Sequence, residues 1–160
     1  LTPAEIATAT LRELGVLKLP VDVQCIAQSL GIQIYREPIK ASGILIKDGS
    51  GEWIVVRNRD SVRRQRFTIA HELGHSRCKH QGLRFMCDSN LKTDTTIERE
   101  ANQFAAELLM PRAAFSALYN RGKREKDLAS YFGVSVEAAT WRAVDLGFKS
   151  RQEAMQLYFF

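Results

Sequence analysis

No apolar run in this sequence approaches the roughly 18 residues that a membrane-spanning helix needs. The longest, Gly43-Ile44-Leu45-Ile46 and Trp53-Ile54-Val55-Val56, are strand-sized, which excludes a transmembrane helix and leaves no reason to expect a membrane partner. The N-terminal stretch, beginning at Leu1, lacks the basic cluster, apolar core and small-residue cleavage site of a secretory signal. Cysteine is scarce: Cys25, Cys78 and Cys87 are an odd number at no disulfide-framework spacing. That excludes a disulfide-stapled scaffold and makes a reducing cytoplasm the expected location. Internal repeats, low-complexity tracts and long linkers are also missing, which excludes collagenous and wholly disordered chains.

What is present suits a core-forming globular fold: 160 residues, 45% hydrophobic and 26% charged. The 23 basic residues exceed the 18 acidic ones by five. The excess is local, at Arg57, Arg59, Arg63, Arg64 and Arg66 and again at Arg121, Lys123, Arg124 and Lys126. Such clusters can meet nucleic acid or an acidic protein. The simpler reading is solvated surface.

Thr2-Pro3-Ala4-Glu5 spells a capping box with proline at the first helical position, so a helix begins there and stops at Gly15. A second fits residues 21–30, with Asp22 near its start and Gly31 after it. Ile32-Gln33-Ile34-Tyr35 then alternates like a strand, and two β-rich runs, 43–47 and 52–57, flank Asp48-Gly49-Ser50-Gly51 as a hairpin. A small, mainly antiparallel sheet of three strands is predicted. Helices are predicted over 61–79 and 96–110, separated by a polar stretch at 81–94 and ended by Pro111, with shorter helices beyond. The fold class is α+β, with a core over 1–111 and a C-terminal helical subdomain over 112–160.

His71-Glu72-Leu73-Gly74-His75 is H-E-x-x-H inside a predicted helix. Positions i and i+4 share a face, so both imidazoles reach one ion, and Glu72 is placed to act as general base on a water there. Gly74 lowers helix propensity, which implies close approach of another element. A third ligand must come from elsewhere. On the next helix Glu98, Ala101, Asn102, Ala105, Leu108 and Leu109 form an inward stripe, whereas Glu100, Gln103 and Glu107 fall on a polar face. A carboxylate on an apolar stripe needs a partner, which favours Glu98. Asn102, one turn later, is placed to orient an imidazole. The remaining reading of Glu98 is a helix-start carboxylate facing the dipole.

The run Arg64-Gln65-Arg66-Phe67-Thr68-Ile69-Ala70-His71-Glu72-Leu73-Gly74-His75, followed by Glu98-Arg99-Glu100-Ala101-Asn102-Gln103-Phe104-Ala105-Ala106-Glu107-Leu108-Leu109-Met110-Pro111, resembles the ImmA/IrrE family of metallo-endopeptidases. The resemblance extends from about Val21 to Gly147. It implies a zincin-like core with one zinc ion per chain, His71, His75 and Glu98 as ligands and Glu72 as catalytic base. Asn102 stands where related zincins more often carry Asp. The resemblance also implies a protein substrate of the helix-turn-helix repressor class, in mobile-element control or stress response. Manganese is an alternative ion for such a donor set.

Several assignments stay open. The second oxyanion donor has Tyr119, His80 and the arginines before the catalytic helix as unranked candidates. The strand Trp53-Ile54-Val55-Val56-Arg57 binds substrate by strand addition if it lies at a sheet edge, and is otherwise a sheet partner. Cys78, His80 and Cys87 match no zinc-ribbon spacing, so ordinary thiols are expected rather than a redox or second metal site. Residues 128–139 look like a helix-turn-helix, with Ser135 as a cap. The second helix carries only Arg142 as a base, which favours packing or protein docking over DNA contact. The competing functional reading is a non-proteolytic zincin-like module that senses metal, DNA or a partner.

Overall fold

The computed structural model describes residues 1–80, 84–87 and 95–159. Helix α1 (Pro3–Glu13) starts at the predicted capping box: Thr2 Oγ1 accepts from Glu5 N at 3.1 Å and Glu5 accepts from Thr2 N at 2.7 Å. Helix α2 (Val23–Ser29) is capped by Asp22, which accepts from Cys25 N at 3.0 Å.

Strands β1 (Gln33–Glu37), β2 (Gly43–Asp48) and β3 (Gly51–Arg57) form as predicted, and β4 (Arg84–Cys87) joins them in one sheet of order β1-β3-β2-β4. β2 and β3 make the hairpin, closed by the Asp48–Gly51 pair, with Asp48 Oδ1 accepting from Ser50 N at 2.7 Å. β1 runs parallel to β3, while β2 is antiparallel to both β3 and β4. β4 arises inside the stretch read as a polar connection. Its four residues are too few to show a period and are held by pairing with β2. The rest of 81–94 lies outside the described residues.

The sheet order decides between the two readings of Trp53 to Arg57, in favour of a sheet partner and against substrate binding by strand addition. β3 is not an edge strand. Trp53, Ile54, Val55, Val56 and Arg57 pair with residues 33–37 of β1 on one side, and residues 51–56 pair with β2 on the other. The main-chain groups needed for strand addition are spent on these neighbours.

Ile54 and Val56 of β3 and Leu45 of β2 are fully buried, in one cluster with Ile69, Ala70 and Leu73 of helix α3 (Val62–Arg77). Ser61 caps α3 by accepting from Arg64 N at 3.2 Å. Helix α4 (Thr95–Leu109) packs against both α3 and α1. Its buried side includes Ala101, Ala105, Leu108 and Leu109 as expected, and also Phe104, so the apolar arc is wider than the predicted stripe. Helices α5 (Arg112–Asn120), α6 (Glu125–Phe132), α7 (Val136–Asp145) and α8 (Arg151–Phe159) follow. Phe115, Leu128, Phe132, Ala139 and Ala143 belong to the same buried cluster as the sheet and α3, so one core runs through both halves of the chain.

Candidate metal centre

Helix α3 carries His71, Glu72 and His75 on its buried stretch, with exposures of 5%, 0% and 0%. Helix α4 crosses it at the H-E-x-x-H turn. At Gly74 an added Cβ would lie 2.9 Å from the Ala101 carbonyl oxygen and 3.0 Å from its Cα, so the glycine is what lets the two backbones approach. That approach brings Glu98 across to the histidines.

His71 Nε2 lies 2.9 Å from Glu98 Oε2, His75 Nε2 lies 3.2 Å from Glu98 Oε1, and the two Nε2 atoms are 3.1 Å apart. Two N ligands on a tetrahedral zinc, with bonds of about 2.0–2.1 Å, sit roughly 3.3 Å apart. The three groups therefore fit one divalent ion, and they form the one such cluster among the described residues. Glu98 is the more open side, at 24% exposure.

The donor atoms are oriented from behind. Asn102 Oδ1 stands 2.8 Å from His71 Nδ1. A carbonyl oxygen only accepts, so Nδ1 carries a proton and Nε2 is the ring nitrogen left to face the cluster as the ligand atom. Burial alone would push the His71 imidazole down. The hydrogen bond to Glu98, the charges of Glu72 and Glu98, and Asn102 outweigh it, and the pKa stands above the usual value. At His75 burial prevails over Glu98, helped by the charges of His71 and His80, and the pKa is lowered. Burial would raise Glu98, but its hydrogen bonds to both imidazoles and their charges bring it down to about 2. A divalent ion held there would take the place of the Nε2 protons that face Glu98, so an ionised carboxylate and two imidazole nitrogens form a donor set that suits a borderline divalent cation.

Glu72 lies beside the start of β2. A Cβ on Gly43 would come within 3.4 Å of Glu72 Oε1 and would overlap the Thr68 methyl, so this glycine leaves the room that the carboxylate occupies.

The other candidates are engaged in contacts of their own. Tyr119 stacks on Phe148 at 4.5 Å with the Arg124 guanidinium over its ring, among the C-terminal helices. Arg66 donates to Val21 O, Phe132 O and Gly133 O, and Arg64 to Ser42 Oγ. His80 sits on the far side of His75 from the cluster, with one nitrogen facing His75 Nδ1 and the other facing Glu100. Neither nitrogen is presented to a scissile carbonyl. The Cys78 thiol is half-buried and pushed up by burial, then by Glu100, which works against a reactive thiolate. The Cys87 side chain lies outside the described residues.

Helices α6 and α7 are joined through Gly133, in the left-handed region at φ 68°, and Ser135 caps α7 by accepting from Ala138 N at 3.0 Å. Arg142, the one base on α7, points inward. It is 7% exposed, donates to Met110 O at 3.1 Å and pairs with Glu107. Glu107, expected on a polar face, is thereby part of the α4–α7 contact.

The peptidase M78 family, described as the IrrE N-terminal-like domain, matches residues 27–143. The chain belongs to this family. Metallopeptidase ImmA of Bacillus subtilis (strain 168) is 27% identical over 114 residues, covering 68% of this chain and 66% of the relative. Uncharacterized immunity region protein 2 of Bacillus phage phi105 is 32% identical over 93 residues, covering 58% of this chain and 59% of the relative. Each match spans less than two thirds of the relative's length. The segment matched by the family takes in β1 to β4 and helices α3 to α6, and so contains the whole histidine–glutamate cluster.

Proposed function

We propose that this chain is a zinc-dependent endopeptidase of the cytoplasm that cleaves a regulatory protein, of the helix-turn-helix repressor class. The observation that carries the reading is the convergence of His71 Nε2, His75 Nε2 and the Glu98 carboxylate, with buried Glu72 one residue after the first histidine. The names of the relatives, a metallopeptidase and an immunity region protein, support the activity and a regulatory substrate.

In this reading His71, His75 and Glu98 hold the ion, and Asn102 holds the His71 ring. A divalent ion there supplies Lewis-acid chemistry, bringing the pKa of a water toward ~7 and polarising the scissile carbonyl. Glu72 takes the proton of the attacking water and delivers it to the leaving amine. Substrate addition falls to a sheet edge. β4 is the edge strand whose Cys87 pairs with Gly43, the residue that abuts Glu72. The C-terminal helices, 112–160, serve packing or protein docking rather than DNA contact, since Arg142 is committed to Glu107.

Metal content of tag-free protein, measured beside Glu98→Ala and Glu72→Gln, tests the reading. About one zinc per chain is expected, weakened in Glu98→Ala. Glu72→Gln should keep the metal and lose cleavage of a cognate repressor. Equal cleavage by Glu72→Gln removes it from the mechanism. Full metal retention in Glu98→Ala dissolves the three-ligand site and favours the non-proteolytic binding module. Manganese in place of zinc would change the ion and leave the ligands as assigned.

A further inference from the structure

We propose that His80 and Glu100 are positioning residues for the metal centre. They form a directed hydrogen-bond relay, Glu100 to His80 to His75, that holds the His75 proton on Nδ1 and aims its Nε2 lone pair at the ion. The inference rests on the reading of His71, His75 and Glu98 as ligands.

Three observations build it. His75 Nδ1 and His80 Nδ1 are 2.9 Å apart, and His80 Nε2 is 2.7 Å from Glu100 Oε2. Two ring nitrogens in hydrogen-bond contact need one donor and one acceptor, and each neutral imidazole has one of each. As a carboxylate, Glu100 only accepts, so His80 carries its proton on Nε2 and offers a lone pair at Nδ1. His75 must then donate from Nδ1, and its Nε2 is left as an acceptor. The opposite polarity would turn the His80 Nε2 lone pair toward the Glu100 oxygen. One carboxylate therefore sets the direction of both rings.

The second observation is burial. His75 and His80 are 0% and 8% exposed, so water is a poor substitute for either partner. Glu100, at 41% side-chain exposure, is the solvated end of the chain.

The third is the backbone that delivers His80. Helix α3 ends in a Schellman arrangement: Lys79 N donates to Ser76 O at 3.2 Å and His80 N donates to His75 O at 3.1 Å. The left-handed position is filled by Lys79, at φ 58°, although a residue with a Cβ is disfavoured there. The same pair of residues is thus joined twice, main chain to main chain and ring to ring. The metal centre has matching supports on its two histidines, Asn102 behind His71 and His80 with Glu100 behind His75.

The test uses the full chain loaded with zinc. Long-range ¹⁵N–¹H NMR of the imidazoles should show His75 as the Nδ1–H form and His80 as the Nε2–H form. Zinc affinity is read by competition with a chromophoric chelator, and folding by circular dichroism. His80→Phe keeps the bulk but ends the relay, and should weaken zinc binding about 10- to 100-fold. His80→Gln can accept through its amide oxygen and donate through its amide nitrogen, and should restore affinity to within a few-fold of the parent. A His80 found as the Nδ1–H form overturns the relay. So does equal affinity in parent, His80→Phe and His80→Gln, or an equal loss in both variants. If the parent chain binds no zinc, the ligand assignment itself fails and the relay with it.

Discussion

Replacing Gly74 with alanine probes the contact on which the site depends. In an isolated helix this change is favourable by about 1 kcal/mol. Here the new methyl would stand 2.9 Å from Ala101 O, 3.0 Å from Ala101 Cα and 3.2 Å from Phe104 Cβ. Two of these are backbone atoms and the third is the root of a fully buried side chain, so none can swing aside. Ordinary contact requires α3 and α4 to separate by about 0.5 Å. Overpacking of this kind costs about 1–3 kcal/mol, so the net change lies between neutral and about 2 kcal/mol destabilising. For a chain of this size that is a fall in Tm of up to about 6 °C. The same separation acts on the metal site, because the His71–Glu98 and His75–Glu98 contacts of 2.9 and 3.2 Å cross the seam. A shift of that size exceeds the ~0.2 Å tolerance of a ligand sphere, so zinc affinity should fall about tenfold or more. Thermal unfolding of the metal-free chain and chelator competition measure the two effects separately. A variant that gains about 1 kcal/mol and keeps its zinc affinity would refute the argument from close approach.

Gly43→Ala should cost about 1–3 kcal/mol by overlap with the Thr68 methyl, and adding Thr68→Ser, which deletes that methyl, should recover most of it in urea unfolding. No recovery in the double variant would place the strain elsewhere. Arg142→Ala leaves the Glu107 carboxylate, 12% exposed, without its cation and should cost about 3 kcal/mol, while a loss below about 1 kcal/mol would contradict the buried pairing. Asp22→Ala removes the α2 cap and should cost about 1 kcal/mol at neutral pH. Hydrogen bonds from Cys25 hold the Asp22 carboxyl below its usual range. The cap's contribution is therefore complete above the unfolded value of ~3.9 and is lost as pH falls through the lower folded value. A difference between parent and variant that persists undiminished at the acid extreme would refute the assignment.

Local chemistry made much of this molecule readable in advance. The caps at Thr2, Asp22 and Ser135 mark helix starts because each side-chain oxygen satisfies a nearby amide. The Asp48-Gly49-Ser50-Gly51 turn marks the hairpin because its conformation is decided within four residues. Helical periodicity told Glu98 from Glu100 but not Glu107, which it put on a polar face and which is 12% exposed against Arg142. Long-range pairing was not readable. β3 reads as apolar whether it lies at an edge or at the centre, and only the docking of β1 alongside it makes it internal. β4 is too short to carry a period and exists through β2.

By itself, then, the sequence determined most of the helices, the hairpin and the H-E-x-x-H face, because each rests on contacts within about one or two turns of chain. Only the tertiary structure decided that β3 is internal to the sheet, that Arg142 turns inward to Glu107, and that His80 and Glu100 stand behind His75. Those outcomes depend on where a packed core places residues tens of positions apart, and no local propensity encodes that.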